Sequence, residues 1–159
     1  MSDGLITALD MFRGADTLSV IVKLLLAVIT GGLIGLERRR KRRPAGFRTH
    51  ILVCMGAALA MCTNMYLYDY LLRFFPEGYE KLDVGRLGAQ VINGIGFLGA
   101  GAILVTKKHQ VKGLTTAAGL WACACLGLAI GAGFYELVLW AFFLLLISSG
   151  RVAYAYDEG

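Results

Sequence analysis

Residues 114–131 read Leu-Thr-Thr-Ala-Ala-Gly-Leu-Trp-Ala-Cys-Ala-Cys-Leu-Gly-Leu-Ala-Ile-Gly, eighteen positions without a charge. A helix crosses the hydrocarbon core of a bilayer, about 30 Å thick, with about 20 residues. This stretch has that length and that composition. Four other windows share the character: 18–36, broken only by Lys23, then 49–72, the uncharged 87–105, and 135–149, the shortest. Five helices with short loops use up the chain. The expectation is therefore an all-α, polytopic membrane protein, one five-helix transmembrane bundle forming a single domain over residues 1–159. Strands are not expected, because open sheet edges do not survive in lipid.

Composition agrees with this reading. The chain is 57% hydrophobic and 17% charged, whereas a soluble domain is typically about 45–50% apolar and about 25% charged. Two Pro and four Cys in so apolar a chain fit neither disorder, nor collagen, nor a disulfide scaffold. A water-soluble enzyme is disfavoured, because 159 residues could not hide this much apolar surface.

Charge placement orients the bundle. Eleven basic residues fall on the side holding the loop 37–50, the loop 107–113 and the C-terminus, against four on the other side. Eight of the eleven acids lie on that other side. The positive-inside rule then puts the N-terminus outside and the C-terminus in the cytoplasm. Tyr66, Tyr68, Tyr70, Phe74 and Phe75 are expected as an outer aromatic belt, and Tyr154 and Tyr156 as an inner one. Residues 1–16 carry three acids and a single base, Arg13, and read as a short surface helix rather than a secretory signal. The run Arg38–Arg43 fixes topology and meets anionic head groups, so no nucleic-acid partner is called for.

Twenty-one glycines concentrate inside the spans. Gly31-x-x-x-Gly35 and Gly127-x-x-x-Gly131 are small-residue faces suited to close helix contact, and they leave room for a homodimer. The third span holds Gly94, Gly96, Gly99 and Gly101. These read either as packing positions or as a widened turn that frees backbone groups at mid-membrane. A weak duplication relates the two helix pairs: Gly46-Phe47-Arg48-Thr49 parallels Gly113-Leu114-Thr115-Thr116.

Polar groups inside a span are costly unless paired, so they are candidates for function. Asp83, Arg86, Gln90 and Asn93 are spaced 3, 4 and 3, which puts them on one helical face. The expectation is a lined internal seam, with the Trp121 N–H bonded to Asn93 or Gln90. Glu37, Arg48, Thr49, Thr115 and Thr116 sit at the other mouth, where Glu37 and Arg48 have the chemistry for an ion pair. His50 and His109 are expected at the surface, solvated. Cys54, Cys62, Cys123 and Cys125 make no Cys-x-x-Cys pair and read as small apolar residues, so no metal site and no cofactor is expected.

Catalysis finds little support. There is no Gly-x-Ser-x-Gly, His-Glu-x-x-His, phosphate-binding P-loop or paired intramembrane carboxylate. Gly94-x-Gly96-x-x-Gly99 matches a dinucleotide fingerprint in letters but has no preceding strand and lies in an uncharged span.

Four blocks in order, Gly35-Leu36-Glu37-Arg38, Ala45-Gly46-Phe47-Arg48-Thr49-His50, residues 90–101 and residues 113–121, resemble the MgtC/SapB family. The resemblance covers about residues 20–135. It implies a multi-pass protein of the bacterial inner membrane, linked to growth in low magnesium and to virulence. It implies action through membrane partners, the proton-translocating ATP synthase among them, rather than magnesium flux. Carried over by position, the family's polar residues are Glu37, Arg48, Thr49, Gln90, Asn93, Thr115 and Thr116. Many relatives of the virulence-factor type add a cytoplasmic C-terminal domain, and this chain ends at Gly159. Two functions stay open: a module that modulates a membrane partner under low-ion stress, and a transporter of Mg2+, protons or a small solute along the polar face of helix 3.

Overall fold

The computed structural model describes residues 17–74, 83, 85–105 and 110–156. The surface helix expected over residues 1–16, and Phe75, His109 and the side chains of Tyr154 and Tyr156, lie outside the described residues. Five helices follow one another: α1 (Thr17–Arg40), α2 (Phe47–Phe74), α3 (Arg86–Gly101), α4 (Leu114–Ala132) and α5 (Tyr135–Tyr156). Three of them, Thr17–Arg40, Phe47–Arg73 and Leu114–Ala132, are long and apolar enough to cross a membrane, and α5 carries the shorter apolar run Tyr135–Ser148.

The third window departs from expectation. Its helix stops at Gly101 rather than Val105. At 16 residues it is about 24 Å long, less than the hydrocarbon thickness. The chain then forms two short strands, β1 (Leu104–Val105) and β2 (Val111–Lys112), paired antiparallel with Leu104 opposite Lys112 and Val105 opposite Val111. The expectation of no strands is corrected here. Ile103, Val105 and Val111 are β-branched and favour extended backbone once α3 has ended.

Helix ends are set by local chemistry. Gly133, at φ 87°, closes α4: its own N–H reaches Ile130 O at 3.0 Å and the next N–H, of Phe134, reaches Ala129 O at 2.9 Å. This is the Schellman arrangement that a left-handed residue permits. The end of α1 repeats it, with Arg42 N–H to Arg39 O at 3.0 Å and Arg43 N–H to Arg38 O at 3.1 Å. There the left-handed residue is Arg42, at φ 51°.

The bundle is small inside and large outside. α1, α2 and α4 pack against one another, and α3 and α5 pack against α4. The core joins Ala27, Ile34, Cys54, Ala58, Cys123, Leu126 and Ile130, while Leu18, Leu25, Ile29, Leu33 and Leu36 line the outside of α1. Trp140, Leu144 and Ile147 do the same on α5. Exposed apolar surface on this scale suits lipid, and small residues inside let backbones approach. A Cβ added to Gly31 would stand 2.6 Å from His50 O, and one on Gly131 2.6 Å from Ala58 O. Gly35 meets Phe47 and Gly127 meets the Cys54 carbonyl in the same way. Both small-residue faces therefore look onto α2.

Candidate functional site

At the basic end, α1, α2 and α4 converge on a buried polar node. The buried face of α1 runs Ala27, Thr30, Gly31, Ile34, Gly35 and then Arg38. Helical spacing thus carries an arginine into the interior, where it is 4% exposed. Its Nη2 donates to Thr116 Oγ1 at 2.9 Å, while Nε has no hydrogen-bond partner. On α2, His50 is fully buried, with Nδ1 2.9 Å from Gly46 O and Nε2 without a partner. The expectation of a solvated His50 is corrected: it occupies the α2 face that continues through Cys54 and Ala58. Its carbonyl accepts from Cys123 Sγ at 3.4 Å, which ties α2 to α4.

Glu37 lies beside this node but pairs locally, with Lys41 one residue past the end of α1. Its Oε1 is 2.6 Å from Lys41 Nζ, an ion pair without hydrogen-bond alignment, and the buried Oε2 has no hydrogen-bond partner. Arg48 and Thr49 are exposed, so the expected Glu37–Arg48 pair does not form. The reason is the short i,i+4 reach to Lys41 on one helical face. Thr115 is exposed and Thr116 buried, as adjacent helical positions must diverge by about 100°.

The polar stripe of α3 is placed differently from the expected seam. Ile95 and Gly99 are the buried residues of α3. Gln90 and Asn93 are exposed, as are Asp83 and Arg86. Asn93 is two residues from Ile95, about 200° around the helix, so Arg86, Gln90 and Asn93 share a face that points away from the buried Ile95, while Asp83 precedes α3. Asp83 Oδ1 accepts from the Gly85 N–H at 3.0 Å. Gly94, Gly96 and Gly101 have nothing within 4 Å of an added Cβ, whereas Gly99 stands 3.5 Å from Ala117 Cβ. Trp121 is 48% exposed, and among the described residues it makes no hydrogen bond to Gln90 or Asn93.

Toward the opposite end, Lys23 Nζ donates to Gly131 O at 3.1 Å. The last carbonyls of a helix lack internal N–H donors and carry partial negative charge, so a cation is favoured there. Cys62 Sγ approaches the same carbonyl at 3.8 Å. Lys23, Ser19, Cys62 and Asp69 line a cavity of about 230 Å³. Among the described residues no group of three or more His, Cys, Asp or Glu side chains gathers into a metal site.

Sequence reasoning does not single out Arg38, His50 or Lys23 as buried or bonded across helices. The signal for the first two was present: each is the next member of a buried i, i+3/i+4 series whose other members are small or apolar.

The profile of the MgtC family matches residues 24–153. The chain is 43% identical over 131 residues to the protein named "Putative magnesium transporter YhiD" of Escherichia coli K12, covering 82% of this chain and 59% of that protein. It is 40% identical over 130 residues to Protein SapB of Bacillus subtilis, covering 81% and 54%. It is 39% identical over 129 residues to Protein MgtC of Salmonella typhimurium, covering 81% and 50%. The chain thus spans little more than half the length of these curated relatives. No solved structure matches it.

Proposed function

The chain belongs to the MgtC family, and from that premise and the geometry of α3 we propose that it is a module of the bacterial inner membrane that binds another membrane protein under magnesium or low-ion stress. It is a multi-pass membrane protein of a magnesium-related family. In the proposed topology α3 and α5 join the three long helices as spans, and the basic end faces the cytoplasm, as the positive-inside rule requires.

The observation that carries the reading is the outward stripe of α3. Two amides, Gln90 and Asn93, and the guanidinium of Arg86 are exposed beside glycines with empty space around them. In lipid such groups are costly until a neighbouring helix pairs them, and small residues allow that helix close. The occupant that fits is a transmembrane helix of another protein with a carboxylate near Arg86 and hydrogen-bonding side chains opposite Gln90 and Asn93. A second copy is a poorer fit, because a two-fold axis along the stripe would set Arg86 against Arg86. The proton-translocating ATP synthase is the partner that the family resemblance suggests.

A benzophenone maleimide attached at Phe97→Cys, 83% exposed on the same stripe, tests this in native membranes. The expected product is an adduct with one identified membrane protein, lost with Arg86→Glu or Gln90→Leu while the chain still inserts. Adducts only with lipid, or only with a second copy, would overturn the reading.

The second reading is transport, favoured by the name that one relative bears. It predicts flux of Mg2+ or protons in reconstituted vesicles, abolished by Asn93→Leu. The cavity described above is lined by neither Gln90 nor Asn93.

A further inference from the structure

The loop between α1 and α2, strand β2 and the start of α4 line a second, half-open cavity of about 520 Å³. Its wall carries Lys41, Arg42, Arg43 and Lys112 together with Thr115 and Thr116, and no acidic side chain. Among the described residues, Arg42, Arg43 and Lys112 are in no ion pair. Three features bear on what such a space would hold.

The first is the start of α4. The earliest helical amide to find a backbone acceptor is that of Ala117, bonded to Gly113 O at 2.9 Å, and Gly113 supplies no side-chain cap. The N–H groups of Leu114, Thr115 and Thr116 are thus without intrahelical partners at the positive end of a 19-residue helix. All three residues line the cavity. The second is Arg38 behind the wall. It is 4% exposed, holds the cavity-lining Thr116 by its hydroxyl, and keeps an unpartnered Nε. The third is Arg42. It takes the left-handed conformation, φ 51°, at a helix end where glycine is the usual occupant. A long cationic side chain stands there against its backbone preference.

Unpaired guanidinium and ammonium groups, free amides at a helix N-terminus and a threonine hydroxyl together match one ligand chemistry, that of a tetrahedral oxyanion. Arginine forks suit phosphate oxygens, and the volume lies within the range of small-ligand sites. We propose that this cavity binds a phosphate group, carried either by free phosphate or by the head group of an anionic phospholipid. The cavity and its cations lie apart from the α3 stripe, so this site stands or falls independently of partner binding.

The test uses the full chain in a zwitterionic detergent. Inorganic phosphate is titrated by 31P NMR. Separately, native mass spectrometry reads retention of phosphatidylglycerol against phosphatidylcholine. Removing two charges from the wall, Arg43→Gln with Lys112→Gln, is expected to weaken binding by at least about tenfold. Removing two from exposed positions of α1 outside the wall, Arg39→Gln with Arg40→Gln, is expected to change it by less than about threefold. Thr115→Val, which leaves every charge in place, is expected to weaken binding about threefold with unchanged thermal unfolding. Phosphate binding alone, or phosphatidylglycerol retention alone, upholds the site and identifies its source. Equal losses from the two charge pairs, or no binding of either anion by the unaltered chain, would overturn it.

Discussion

Arg38 Nη2 donates to Thr116 Oγ1 across 2.9 Å, joining residues 78 positions apart in the chain. The bond places a formally basic-run arginine inside the bundle, with α4's first turn as its acceptor. Thr116→Val keeps the shape and removes that acceptor, leaving a buried cation with a second unpartnered nitrogen. The expected loss of stability is about 2 kcal/mol, read by unfolding in mixed micelles, whereas Thr116→Ser stays near the parent. A Thr116→Val chain as stable as the parent would mean that Arg38 finds water instead.

The glycines divide by what surrounds them. At Gly131 an added methyl would stand 2.6 Å from Ala58 O, so Gly131→Ala must push α4 off α2. A loss of about 1–3 kcal/mol is expected. At Gly94 the space is open, and Gly94→Ala is expected to gain up to about 1 kcal/mol from helix propensity. Unfolding of both variants in the same micelles checks the contrast in sign.

Arg42 bears a conformational cost at the α1 terminus. Arg42→Gly relieves it and is expected to hold or raise stability by up to about 1 kcal/mol, while Arg42→Val, β-branched and poorly suited to positive φ, is expected to lose about 1–2 kcal/mol. Thermal unfolding of the two variants decides it. Equal stability of glycine and valine would remove the strain argument.

The proposed orientation gives opposite labelling at the two ends of α1. Cys54, Cys62 and Cys123 are buried, and Cys125→Ser removes the partly exposed thiol. In that background a membrane-impermeant maleimide added to spheroplasts is expected to label Thr17→Cys and to spare Arg40→Cys until the membrane is opened. The reverse pattern would invert the topology.

Much of the helical layout was legible because lipid imposes a length and a composition on each span. α1 and α2 begin and end within a few residues of expectation, except where α1 runs on to Arg40. There, cations near a helix C-terminus prolong it, an effect that a charge-free window cannot show. The third window failed at its end, since apolar Ile103–Val105 is read equally well as helix or strand. Of the stripe Asp83–Arg86–Gln90–Asn93, the last three share one face of α3 as their spacing predicts, while Asp83 lies ahead of the helix. Periodicity says which residues share a face, but not which face meets a neighbour, and the unfilled space at Gly94 and Gly96 became visible only in the packing. Arg38 and His50 were hidden by their company: a run of six basic residues and a loop-edge histidine look solvated until the i, i+4 series of small residues leading to them is followed through.

One further consequence follows from Lys23. Its bond to Gly131 O and the Arg38–Thr116 bond are fifteen residues apart on α1 and fifteen apart on α4, running in opposite directions. The two helices are therefore clasped at both ends over a matched length of about 22 Å. Sliding either one by a single residue would stretch both clasps at once. In a thicker or thinner bilayer this pair has to lean as one strut rather than telescope, so changes in membrane thickness reach the rest of the bundle as tilt.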